Sequence, residues 1–151
     1  MAEGLTFDTR YFDDVEPGDE FADDWQPHIE EVREYIGLEE GPLGFQGRFV
    51  DPDEAKRLGF ERPIVPGAMS MSRLSRLVTD WMGRDGRLES IDVDFRRPVL
   101  HDDEIRCIGL VTDTTEGDSG PQVKLDIYLE NTRGERPLQG VAVVGLPRRP
   151  S

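Results

Sequence analysis

The 151-residue chain holds one cysteine, two histidines and two lysines, and no long apolar run. Each scarcity excludes something. A lone Cys107 rules out an intrachain disulfide and a cysteine-based metal site, so a cytoplasmic setting is the expectation. No stretch approaches the roughly 18 apolar residues that span a bilayer. The opening MAEGLTFDTR lacks an apolar h-region, so no secretory signal is expected. Positive charge is outnumbered, 18 Lys and Arg against 32 Asp and Glu, for a net charge of −14. That balance argues against nucleic acid or an anionic membrane as partner. Neither a metal nor a resident cofactor is expected.

The charge that is present is unevenly spread. Residues 1–61 carry 18 acids and 5 bases, whereas residues 62–151 carry 14 acids and 13 bases. Only Lys56 and Lys124 are lysines, so nearly all the positive charge is guanidinium, which suits bidentate phosphate binding. A solvated acidic surface is the plainer reading of the acidic part. The length fits one domain, 1–151, with a core over about 10–147.

Periodicity predicts the elements. HIEEVREYI (28–36) and PDEAKRL (52–58) read as short helices. GAMSMSRLSRLVTDWM (67–82) reads as a long one, with Met71, Leu74, Val78 and Trp81 on one face. Strands are expected at 88–95, 104–112, 123–130 and 138–146, the first and third alternating apolar and polar residues. A polar turn, TTEGDSGP, is expected between the second and third of these. YFDDVEPGDEF (11–21) holds a Pro-Gly turn between apolar ends. One apolar helix followed by antiparallel strands implies an α+β sheet wrapped around a helix. Such a sheet exposes an apolar face unless it is paired, so a dimer is expected.

PDEAKRLGFERPIVPGAMSMSRLSRLVTDWMG (52–83), SIDVDFRRPVLHDDEIRCIGLVTD (90–113) and YFDDVEPGDEF together resemble the MaoC-like acyl-CoA hydratase/dehydratase family. The resemblance implies a hotdog fold and a homodimer, or a heterodimer with another hotdog subunit. It implies a thioester of coenzyme A or of acyl-carrier phosphopantetheine as substrate, and syn hydration of a trans-2-enoyl thioester or its reverse. Gly67 matches the helix-start glycine, whose backbone N–H would polarise the thioester carbonyl. A tight turn into a helix asks for the same glycine.

The loop that carries the family's catalytic Asp and His departs from the pattern. Phe49 stands at the His, Gly44 at the Asp, Gln46 at the Asn and Gly47 at the Pro. Pro66 replaces the His that usually precedes the helix-start Gly. With a gap, Glu39 or Glu40 would take the acid's place. Asp51 is a candidate lone base, or the cap of the next helix. Ser70, Phe49, Pro66, Arg96 and Arg97 are the candidate substrate contacts, with Ser72, Arg73, Arg76 and Arg84 as further possibilities.

His28 reads as a cap or surface residue. His101 falls where the family has the Gly of a Gly-Asp turn, and would favour protonation if Asp102 and Asp103 lie near it. Cys107 reads as a core residue. Three functions follow: a hydratase with altered catalytic residues, a non-catalytic hotdog subunit that binds a thioester or completes a partner's tunnel, and a thioesterase. The last is weakest, because Asp80 is the only acid within the long helix.

Overall fold

The long helix forms where its periodicity places it. α4 (Gly67–Met82) buries Leu74 and Val78 completely and Met69, Leu77 and Trp81 nearly so. Met71 is only partly covered, so the buried stripe is turned towards Met69. Gly83, at φ 77, ends the helix in a conformation that favours glycine. A computed structural model of the chain, which describes residues 8–36 and 47–151, lays α4 against one five-stranded sheet.

The strands are β1 (Glu20–Trp25), β2 (Arg87–Phe95), β3 (Ile105–Gly117), β4 (Gly120–Glu130) and β5 (Leu138–Gly145). They lie in the order β1-β3-β4-β5-β2, and every pairing is antiparallel. β4 shows why they form. Val123, Leu125, Ile127 and Leu129 are at most 1% exposed, while Lys124 and Asp126 between them face solvent. The result is the α+β sheet around a helix that the sequence predicts.

Two elements differ from expectation. β1 is a strand that the turn reading of 11–21 stopped short of. Its register sets Phe21 opposite Gly109 on β3, where a Cβ would clash with the Phe21 ring. The absent side chain lets Phe21 lie over β3 and stack on Trp81, with centroids 4.6 Å apart at 8°. The expected turn TTEGDSGP is mostly strand. Gly117 pairs with Gly120, so only Asp118 and Ser119 form the hairpin tip.

Three short helices precede α4: α1 (Ile29–Ile36), α2 (Gly47–Val50) and α3 (Pro52–Arg57). The stretch that leads into α4 is pinned on both sides. Ile64 N–H donates to the Arg48 carbonyl at 2.9 Å, Val65 N–H to Val99 at 2.7 Å, and His101 N–H to Pro63 at 2.9 Å. The start of α4 is therefore held between α2 and the segment that follows β2. No helix among the described residues is long and apolar enough to cross a membrane.

Leu74 has no exposed surface and sits mid-helix. Leu74→Ala is expected to cost about 2–5 kcal/mol of stability, by lost transfer energy and a residual cavity. Urea titration would measure it, and a cost below about 1 kcal/mol would contradict this placement of the core.

Candidate functional site

A cavity of about 450 Å³ lies beside the start of α4. Phe49, Gly67, Ser70, Arg96 and Arg97, reached separately from the sequence, all line it. α2 contributes Phe49 and Arg48, α4 contributes Gly67 and Ser70, and the run after β2 contributes the arginines. Two other clefts, of about 530 and 380 Å³, lie around Glu104 and Glu130 and around Tyr35 and Arg73. Neither is lined by Gly67 or Ser70.

The first N–H groups of a helix have no partner within it, and they carry its positive end. Here Met69 and Ser70 N–H fold back onto the Pro66 carbonyl, at 3.0 and 3.2 Å. That leaves the N–H groups of Gly67 and Ala68 as donors without a backbone acceptor among the described residues. Ser70 is 3% exposed, and its hydroxyl makes no hydrogen bond among the described residues. Of these residues Gly67 and Ser70 line the cavity, which therefore holds a backbone donor and a hydroxyl.

The mouth is cationic. Arg48 stacks on Phe49, with its guanidinium 4.2 Å from the ring centroid. Arg97 is paired with Glu135, which also accepts from Asn131 at 2.9 Å and from Arg133 at 2.8 Å. The Asn131 and Arg133 hydrogen bonds hold the Glu135 carboxyl below its ordinary value. Arg96 has a neutral partner: with the Gln139 amide oxygen turned towards it, Nε and Nη2 donate at 3.2 and 3.1 Å. An amide does not cancel the charge, so Arg96 stays electrostatically available to an anion.

Other candidates fall outside the cavity lining. Asp51 caps α3, and its Oδ1 accepts from Asp53 N–H at 3.0 Å. Pro66 is buried behind Gly67. Glu40, like Glu39, Gly44 and Gln46, lies outside the described residues. Arg73 pairs with Asp23, Arg76 with Asp80 and Arg84 with Asp85. Cys107 is fully buried, and burial pushes its thiol up to about 11, far from a nucleophile at neutral pH.

His101 lies in the turn after β2. Asp102, not His101, takes the left-handed position at φ 66. Asp102 pairs with His28 at 2.8 Å, and Asp103 pairs with Arg62 and accepts from Leu100 N–H at 3.0 Å. The flanking carboxylates are thus engaged elsewhere. His101 is 4% exposed, and its Nε2 has no hydrogen-bond partner. Burial lowers its pKa, outweighing the neighbouring Phe49 carbonyl and Asp102. It is a buried neutral imidazole and not among the residues that line the cavity.

The sequence reading missed Phe95. Its ring lies against the start of α4, so a methyl at Gly67 would sit 3.2 Å from Cε1. Phe95 is 58% exposed although it lines the cavity. Its place at the end of an edge strand, just before Arg96, was the available signal.

Residues 49–131 match the family described as "MaoC like domain". No match was found among curated proteins. Among solved structures, the chain resembles an (R)-hydratase from A. caviae involved in PHA biosynthesis, with 27% identity and a TM-score of 0.75 over 89% of this chain and 98% of that one. It also resembles R-hydratase PhaJ1 from Pseudomonas aeruginosa, at 16% identity and a TM-score of 0.78 over 92% and 86% of the two chains. The ChsH1-ChsH2 complex from Mycobacterium tuberculosis matches at 19% identity and 0.72, over 87% and 98%. These likenesses establish the hotdog fold.

Two predictions follow from the site. Asp51→Ala is expected to cost about 1 kcal/mol of stability as a lost helix cap, without changing thioester binding measured by calorimetry. For His101, the unfolded chain takes up its proton near the ordinary value of 6.5 and the folded chain only at lower pH. Its contribution is therefore complete above that value and is lost as pH falls through it. His101→Met should flatten the stability profile between about pH 6.5 and 5, above the main carboxylate range. Parallel wild-type and variant profiles across that window would refute the buried neutral state.

Proposed function

Because this chain belongs to the MaoC-like domain family, we propose that it is a hotdog subunit that holds an acyl thioester and leaves proton transfer to a partner subunit. The observation that carries this reading is the cavity wall. Phe49 stands where the family places its His, and no Asp, Glu or His lines the cavity among the described residues. Hydration of an enoyl thioester needs a base to activate water and an acid to protonate carbon, and losing such a group normally costs about 10²–10⁴ in rate. Phenylalanine supplies neither.

The binding half of the site is retained. The Gly67 N–H and the Ser70 hydroxyl, both at the cavity, would receive the thioester carbonyl. Arg96 and Arg97 suit the phosphates of coenzyme A or of an acyl-carrier phosphopantetheine. The substrate brings that group, and no resident cofactor is invoked. Partner subunits are in keeping with the mixed complexes among the structural relatives, ChsH1-ChsH2 and HadBC.

A second reading, a hydratase acting alone, is favoured by the 27% identity to an (R)-hydratase over most of the chain. It requires Glu39 or Glu40 to act as the acid, without an imidazole beside it.

One experiment separates the two. The purified chain is expected to bind crotonyl-CoA or a longer enoyl-CoA by calorimetry while consuming none of it. Arg96→Ala should weaken binding roughly fivefold to twentyfold. Sustained enoyl-CoA turnover by the chain alone would establish the second reading, and absence of binding would remove the first.

A further inference from the structure

We infer that the outer face of the sheet, the one turned away from α4, stacks on the same face of a second copy of this chain. Lys124 of each copy pairs with Asp126 of the other. The stack uses the face of the sheet and neither of its edges, and it stands independently of the thioester reading.

α4 covers the inner face, where Val123, Leu125, Ile127 and Leu129 of β4 join the core. Alternate residues point the other way. On a sheet face open to water these positions are ordinarily polar. Here Ile108, Leu110, Tyr128, Val141 and Val143 occupy the middle of the outer face. The register sets Ile108 beside Tyr128, Asp126 between Leu110 and Val141, and Lys124 beside Val143. Ile108 is 5% exposed yet lies outside the core cluster. An apolar patch rimmed by polar residues is the form that contact surfaces take.

The charges decide what fits this patch. At one end of the face they are matched within the chain. Arg136 lies 3.8 Å over the Tyr128 ring and pairs with Glu130, and Arg106 pairs with Asp24. Lys124 and Asp126 are exposed, and their side chains have no ion pair or hydrogen bond among the described residues. They sit two residues apart on β4, the middle strand of the five. Stacked sheets lie about 10 Å apart with their strands nearly aligned, a gap that a lysine and an aspartate side chain bridge together. A two-fold axis across the strands at the level of Leu125 reverses β4 over its copy. Each Lys124 then meets an Asp126, and Val141 meets Val143. Asp92, in the same row as Asp126, meets Ser90 rather than another acid. An axis running along β4 would set Lys124 on Lys124 and Asp126 on Asp126, so the charges select the first arrangement. Each copy carries a net charge of −14, and salt near physiological strength screens that repulsion beyond about 8 Å.

Sedimentation equilibrium in about 0.15 M salt tests this by charge exchange. Lys124→Asp and Asp126→Lys are each expected to weaken self-association about tenfold or more, because each sets like charges face to face. A 1:1 mixture of the two should associate about as tightly as the wild type. So should the double variant Lys124→Asp/Asp126→Lys alone, and it should not mix with the wild type. Net charge by itself predicts otherwise: Asp126→Lys makes the chain less acidic and would associate more tightly. That result would overturn the inference, as would a double variant that mixes with the wild type, or the absence of any association step that these substitutions move. Should a charge-reversed variant fail to fold by circular dichroism, Lys124→Gln and Asp126→Asn decide in its place. Each is expected to weaken the step about threefold, and an unchanged or tighter step for Asp126→Asn would overturn the inference.

Discussion

Burial of one face of α4 against the sheet is the constraint from which the site follows. Leu74 and Val78 join Leu125, Ile127 and Leu129 in a single core, and that packing fixes the helix axis. Once the axis is fixed, the position of its first turn is fixed too. The hydrogen bonds of Ile64, Val65 and His101 then tie the entering chain to α2 and to the segment after β2. The cavity is the gap left where these three pieces meet around an uncapped helix start. Pro66 supplies no side-chain cap, so the donors at Gly67 and Ala68 remain open.

Charge is arranged around that gap in a way that its total does not reveal. The chain is strongly acidic, yet no carboxylate lines the cavity among the described residues. Most arginines are held by acids elsewhere, as Arg62 is by Asp103 and Arg149 by Asp14. Arg96 instead meets the neutral amide of Gln139. An acidic surface with a cationic mouth repels most anions at a distance while still offering a local site for one that presents phosphates in the right place.

Much of this was legible in the sequence, for identifiable reasons. α4 has the bounds its apolar spacing predicts, because a buried helix face writes its period directly and Gly83 punctuates it. β4 was legible because both of its faces obey a period of two. β1 was not, since only Phe21 and Trp25 in EFADDW are large apolar residues, and pairing with β3 decides its conformation. TTEGDSGP looks like a loop in one dimension, but the hairpin is held by the β3–β4 ladder. Among site residues, Phe49, Gly67, Ser70, Arg96 and Arg97 came from spacing within a resemblance, and they share one cavity. Asp51 had its capping role in view because Asp-Pro before a helix has a local meaning. The protonation of His101 stayed conditional in the sequence, because it depends on where Asp102 and Asp103 point, and their partners, His28 and Arg62, lie far away in sequence.

On the proposed reading Phe49 stands in place of a proton-handling group, in keeping with a cavity wall that holds no Asp, Glu or His among the described residues. An isolated carboxylate or imidazole left in an apolar pocket must be desolvated, and it titrates away from its useful form unless a second group supports it. His101 shows this cost within the same protein: buried with an unpartnered Nε2, it is held neutral. A wall that has lost one member of a catalytic pair therefore gains by losing the other. What remains is the part of the site that needs no titration, namely backbone donors, a hydroxyl and guanidinium charge. Those groups keep their charge and hydrogen-bonding capacity across the physiological pH range, as the proposed thioester-holding role requires.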